Sequence, residues 1–187
     1  ALLDPSLATD RAPDAFRVKL ETTKGDVVIL VNREWAPNGT DRFYNLVQAG
    51  YYDGCKFFRV IDGFMAQTGD VQFGKSDADV RMAGRGGSDL PDLPAEFSKL
   101  PHDRGTLGAA RSQNPNSANS QFFFNVADNK QALDPNPRNW GYTVFGVVVS
   151  GEDVVNAIAA VPTGYHAEMD YQDVPVTPVK LIKVSVQ

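Results

Sequence analysis

Apolar and polar residues alternate one by one early in the chain: Phe16, Val18 and Leu20 are separated by Arg17, Lys19 and Glu21. Successive strand side chains point to opposite faces, so this period of two predicts a half-buried β-strand. Lys24-Gly25 offers a tight turn into a second apolar stretch, Asp26 to Asn32, and the two runs together predict a hairpin. Similar runs follow at 57–61, 64–70, 106–111, 121–126 and 143–149, and Ile182, Val184 and Val186 alternate with Lys183 and Ser185 near the end. About eight strands are therefore expected.

Two segments carry helical spacing instead. Phe43, Leu46 and Val47 follow Thr40 as the expected N-cap and stop at Gly50. Val154, Val155, Ile158 and Val161 follow Ser150 and stop at Pro162, with Glu152 and Asp153 in the first turn, where negative charge suits the helix dipole. Many strands with few, widely separated helices do not fit an alternating parallel sheet. The expected fold is all-β with two helices: a closed antiparallel barrel, which removes exposed strand edges, with the helices over its open mouths. The irregular tracts at 72–105 and 127–142 are expected at the surface.

A chain of 187 residues with no internal repeat and no linker fits one domain. The net charge of -5, without a Lys/Arg block, argues against nucleic acid or an anionic membrane surface as partner. The longest apolar runs, such as Val27 to Val31, are too short to span a bilayer. Cys55 is the only cysteine, which excludes an intrachain disulfide and leaves it as a small buried hydrophobe. The first residue is Ala rather than Met, and Ala1 to Pro13 is polar; the expectation is export to a periplasm-like compartment after removal of a signal peptide, with a cytoplasmic location as the alternative.

Most familiar chemistries lack their residues. His102 and His166 are the only histidines, and with one cysteine they give no metal-ligand spacing. His102 is expected as a hydrogen-bonding loop residue and His166 as exposed. No G-x-S-x-G elbow is present, and the glycine-rich piece Ala83 to Ser88 lacks the P-loop Lys-Ser/Thr, so it is expected to be a flexible loop.

Two stretches remain. The run Phe57-Phe58-Arg59-Val60-Ile61-Asp62-Gly63-Phe64-Met65-Ala66-Gln67-Thr68-Gly69-Asp70 sets a permanent cation among aromatic and aliphatic side chains. A buried guanidinium is costly unless its donors find a carboxylate, carbonyls or a ligand, and beside an apolar surface it suits gripping an apolar residue while hydrogen-bonding its peptide group. On residues alone, Arg59 reads more readily as a surface or ion-paired strand residue. The second stretch, Arg111 to Val126, is an amide-rich loop entering an aromatic strand. Alternation there puts Phe122 and Phe124 on one face and Phe123 on the other beside Gln121, where it could line a peptide groove.

At these stretches the chain resembles the cyclophilin-type peptidyl-prolyl cis/trans isomerases. Residues 57–70 match the pattern F-x-R-V-I-x-G-F-M-x-Q-x-G-D, Ser120 to Phe123 match S-Q-F-F, and Val144-Phe145-Gly146 match V-F-G; Glu96-Phe97 and His102 to Leu107 are similar to the family's middle section. The likeness covers roughly residues 16–186, leaving 1–15 as an N-terminal extension and 16–187 as the isomerase domain. It implies an eight-stranded antiparallel barrel capped by two helices, and an enzyme that needs no cofactor, accelerates rotation about Xaa-Pro bonds and assists protein folding. The substrates implied are proline-containing peptides and folding proteins, met by a monomer. The competing reading is a proline-peptide binding module with little turnover.

Carried over by motif, Arg59 is the catalytic arginine, and Phe64, Met65, Phe123, Leu133 and Tyr142 wall the proline pocket. Gln67 and Gln121 would hydrogen-bond the substrate backbone or support Arg59, and Ser112 would stand where the family holds the extended peptide. Three departures stand out. Phe58 replaces the His of many members, Tyr142 stands where inhibitor-sensitive eukaryotic members have His, and Ala132 falls at their Trp, which implies weak cyclosporin binding.

Overall fold

A computed structural model describes residues 8–75 and 80–187. The first part of the expected N-terminal extension, residues 1–7, lies outside the described residues. From Ala8 onward the extension is tied to the first helix: Asn45 exchanges hydrogen bonds with the backbone of Asp10, and the Ala12 N–H donates to Asp41.

The hairpin expected at the start is β1 (Ala15–Thr22) and β2 (Gly25–Asn32). Its register pairs Phe16 with Val31, Val18 with Ile29 and Leu20 with Val27, so each inward pair puts two apolar side chains on the core face. Thr22 closes the turn, its hydroxyl donating to the Gly25 carbonyl at 2.7 Å.

The remaining strands of the large sheet are β3 (Arg59–Ile61), β4 (Met65–Thr68), β5 (Thr106–Ala109), β6 (Phe122–Asn125), β7 (Thr143–Ser150) and β10 (Leu181–Val186). They form one eight-stranded antiparallel sheet in the order β10-β1-β2-β7-β5-β6-β4-β3. The expectation of a closed barrel overstates this. The edges β10 and β3 do not share a ladder; they meet through the single bridge Lys56 to Lys180 and backbone hydrogen bonds from Gly54 to Leu181, Phe57 to Val179 and Leu181 to Cys55. β3 is only three residues long, too short to extend the pairing.

Among the described residues, three α-helices accompany the sheet rather than two. α1 (Pro37–Gln48) packs on β10 and β2, α2 (Lys130–Leu133) is a single turn, and α3 (Glu152–Ala159) packs on β2, β3 and β4. None among the described residues is long and apolar enough to cross a membrane. Phe43 of α1 sits within 5.2–5.4 Å of the rings of Tyr52, Phe122 and Phe145 and joins the helix to the barrel core. The Tyr52 hydroxyl, wholly buried there, donates to the Ser120 carbonyl at 2.6 Å.

Both expected helix starts shift. Thr40 is not the N-cap of α1: the helix begins at Pro37, and Thr40 lies buried in its first turn. The open N–H groups of Asn38 and Gly39 are met by the carboxylate of Glu96 at 3.0 and 2.7 Å, a cap delivered by a distant loop. Ser150 ends β7, and Gly151 precedes α3 with φ of 85°, a left-handed conformation in which a Cβ would meet the Asp26 carbonyl oxygen at 2.3 Å.

A second, two-stranded sheet, β8 (Thr163–His166) with β9 (Tyr171–Pro175), was not expected from the pattern. It covers Phe58, which is 4 % exposed and packs with Ala83, Met169, Val174 and Tyr171 in a satellite cluster outside the main core. His166, expected to be exposed, is half-buried, and its Nδ1 lies 3.3 Å from the Met169 N–H.

Candidate active site

β3 and β4 set Arg59 directly opposite Gln67. Alternation along β3 sends Val60 into the barrel and Arg59 outward, so the guanidinium is exposed and not buried as its apolar neighbours suggest. Among the described residues, Arg59 makes no ion pair and no hydrogen bond. It stands at the lip of a cleft of about 310 Å³ whose lining also includes Phe64, Met65, Gln67, Phe123, Leu133 and Tyr142.

The apolar side of this cleft is a small core of its own. Met65, Ala110, Phe123 and Leu133 are buried together, and Ile61, Phe64 and Tyr142 pack against them. The parity of β6 produces this arrangement: Phe122 and Phe124 enter the barrel core, and Phe123 turns to the cleft, as alternation predicted. Tyr142 meets Phe123 edge-on, with ring centroids 5.9 Å apart and planes at 87°.

The amides beside Arg59 are fixed in polarity. Gln121 Nε2 donates to the carbonyls of Gly84 and Gly86 at 3.1 and 2.9 Å, and carbonyls can only accept. Its Oε1 must then be the acceptor of the 3.0 Å bond from Gln67 Nε2, which leaves Gln67 Oε1 as the free acceptor. The carbonyls themselves are held by the buried Asp70 carboxylate, which accepts the N–H groups of Gln72, Phe73, Gly84 and Gly86 at 2.8–3.0 Å. The glycine-rich piece expected to be a flexible loop is therefore pinned by its backbone.

Ser112 and Gln121 do not line the Arg59 cleft. They line an adjoining cavity of about 470 Å³, polar in character, that shares Gln67, Ala110 and Arg111 with it. Ser112 spends its hydroxyl and its N–H on Ser117 Oγ, at 2.8 and 2.9 Å. Arg111 lines both spaces and was missed as a site residue. Its guanidinium lies 4.6 Å from the Tyr142 ring centroid and donates to the carbonyls of Gly141 and Ser112, joining the loops on either side. The available signal was a cation at the head of the amide-rich loop. Trp140, from the segment after Leu133, stacks on Phe97 at 5.3 Å and faces another cavity, not this cleft.

A sheet of this topology that sets Arg59, unpaired among the described residues, beside an aromatic-walled cleft has known relatives. The sequence pattern described as "Cyclophilin type peptidyl-prolyl cis-trans isomerase/CLD" matches residues 17–186. The chain belongs to the cyclophilin-type peptidyl-prolyl cis-trans isomerase family. It is 52 % identical over 144 residues to a probable peptidyl-prolyl cis-trans isomerase of Brucella abortus (strain 2308), covering 75 % of this chain and 70 % of the relative. It is 36 % identical over 171 residues to peptidyl-prolyl cis-trans isomerase B of Escherichia coli (strain K12), covering 90 % and 98 %. Among solved structures, a cyclophilin type peptidyl-prolyl cis-trans isomerase of Cryptosporidium parvum, studied in the presence of the dipeptide Ala-Pro, superposes with a TM-score of 0.74 at 26 % identity over 91 % of this chain and 98 % of that one.

Proposed function

We propose that this chain is an active prolyl isomerase in which Arg59 binds the twisted Xaa-Pro amide and Phe64, Met65, Phe123, Leu133 and Tyr142 hold the proline ring. One observation carries the reading: the guanidinium of Arg59, without a partner among the described residues, at the lip of a cleft with one apolar wall. Amide resonance opposes rotation by about 18–20 kcal/mol. As the amide twists, its nitrogen turns pyramidal and gains a lone pair, so a cation aimed there favours the twisted state over either planar isomer. A single charge-assisted hydrogen bond supplies about 1.5–3 kcal/mol, and fixing the peptide against the apolar wall adds the remainder. Gln67 Oε1, the free acceptor of the amide pair, is placed to receive a substrate N–H or the guanidinium itself.

The natural substrates proposed are proline-containing segments of folding proteins, handled by a monomer. Weak cyclosporin binding is part of the proposal, because Ala132, exposed on α2, stands where inhibitor-sensitive members have Trp, and Trp140 is engaged with Phe97. The test is two-dimensional exchange NMR on a short Xaa-Pro peptide. Exchange cross-peaks between cis and trans resonances at catalytic protein concentration are expected. Peptide binding without exchange would replace the isomerase reading with that of a binding module.

A further inference from the structure

Behind the cleft lies a buried chain of polar side chains with no place in the reaction itself. His102 is 0 % exposed, Asn125 is 1 % and Asn129 is 7 %. His102 Nε2 lies 2.7 Å from the Tyr142 carbonyl, and its Nδ1 lies 3.0 Å from Asn125 Nδ2. Asn125 Nδ2 also donates to Thr106 Oγ1 at 2.9 Å, and Asn125 Oδ1 accepts from Asn129 Nδ2 at 2.8 Å. The other proton of Asn129 Nδ2 goes to the Phe64 carbonyl, also at 2.8 Å. The imidazole meanwhile stacks on Phe123, with centroids 5.8 Å apart and planes at 17°.

We propose that His102 is a positioning residue for the proline pocket, a neutral imidazole that, through Asn125 and Asn129, seats the walls Phe64, Phe123 and Tyr142 on one frame. The assignment of proline to this pocket rests on the function proposed above; the geometry of the frame does not. The chain admits one polarity. It ends on carbonyls at Tyr142 and Phe64, which only accept, so Nε2 carries the imidazole proton and Nδ1 accepts from Asn125. A second proton, at Nδ1, would face the Asn125 NH2 group. Turning that amide over would set its NH2 against that of Asn129 and break the link to Phe64.

The charged and titratable groups around the ring are few. Asp134, at the end of α2, accepts the His102 backbone N–H with its carboxylate at 2.8 Å, Asp103 is engaged by Lys130 at 3.2 Å, and the Arg111 guanidinium lies 4.6 Å from the Tyr142 ring centroid. Burial lowers the His102 pKa from its ordinary value; the Tyr142 carbonyl and Asp134 oppose this and are outweighed. Rotation about an Xaa-Pro bond transfers no proton. Protonation of His102 therefore has a specific route to the pocket.

The experiment follows exchange of an Xaa-Pro peptide from about pH 8 downward until the ring ¹⁵N signals of His102, recorded on the same samples, report its protonation. The expected result is the Nε2–H tautomer at neutral pH and a KM that rises at least about threefold as His102 protonates, with kcat changing less than about twofold. The Asn125→Ala variant, or Asn129→Ala if the first does not fold, is expected to raise KM at neutral pH and to flatten its pH dependence. The His166→Gln variant is expected to keep the wild-type profile. An Nδ1–H tautomer at neutral pH, or a KM that stays level while His102 titrates, would overturn the proposal, as would variants that lose thermal stability without moving KM. If the peptide binds without turnover, the isomerase reading fails, and the dissociation constant replaces KM in the same titration.

Discussion

Arg59 and Gln67 face each other across the β3–β4 ladder, and only one of the two is held. Gln67 hands its amide to Gln121, which is fixed by the carbonyls of Gly84 and Gly86; Arg59 has no partner among the described residues. An anchored neutral acceptor beside a free cation offers a peptide one group that accepts a hydrogen bond and one that donates. Arg59→Ala is expected to lower kcat/KM at least about tenfold, the loss of one donor felt in the transition state, with an unchanged fold by NMR. Turnover equal to wild type in that variant would remove Arg59 from the mechanism.

Glu96 predicts a stability effect outside the cleft lining. Its carboxylate caps two N–H groups of α1, and its own carbonyl accepts from the Thr143 hydroxyl, so one residue clamps the helix start to β7. Glu96→Ala is expected to cost about 1–2 kcal/mol, or about 3–6 °C in Tm, with Glu96→Gln recovering part of it. Calorimetry on both variants decides the matter; equal Tm values across the series would show that water caps the helix as well.

His102 gives a pH dependence of stability with a defined sign. An unfolded histidine takes its proton near 6.5, and burial holds the folded pKa below that value. In the interval between the two the unfolded chain binds more protons, so stability falls as pH falls. The contribution is complete above about 6.5 and lost below the depressed value. Urea midpoints measured from about pH 7.5 to 5 are expected to decline, and to do so equally in His166→Gln.

Cys55 offers a direct probe of the barrel seam. Burial pushes its thiol up to about 12, and it lies on the segment that joins β3 to β10. A thiolate-directed reagent at about pH 8 is expected to leave the folded protein unmodified and to react in denaturant. Rapid labelling of the native protein would mean that the seam opens.

Legibility from sequence followed burial. β1 and β2 could be read because one face is wholly in the core, which enforces the alternation of Phe16, Val18 and Leu20. β8 could not, because Thr163, Gly164 and Tyr165 are all exposed and no face selects apolar residues. The start of α1 was misplaced because its cap comes from Glu96, remote in sequence, and Thr40 mimics the local signal. In the site, the parity of β6 was enough to aim Phe123. The same reasoning failed at Arg59 because Phe58, just before β3 and outside the main core, is apolar for a separate reason, its cover by β8 and β9. Ser112 and Gln121 belong by motif to the same surface, yet the fold deals them to the neighbouring cavity.

That cover makes position 58 a marker for an appendage far along the chain. Strip away β8 and β9 and Phe58 becomes a bare ring on the outside of the barrel, where a histidine would serve better. Within the family, the letter following the first Phe of the arginine motif should then track the length of the segment after α3: aromatic where an outer flap folds back, polar where it is missing.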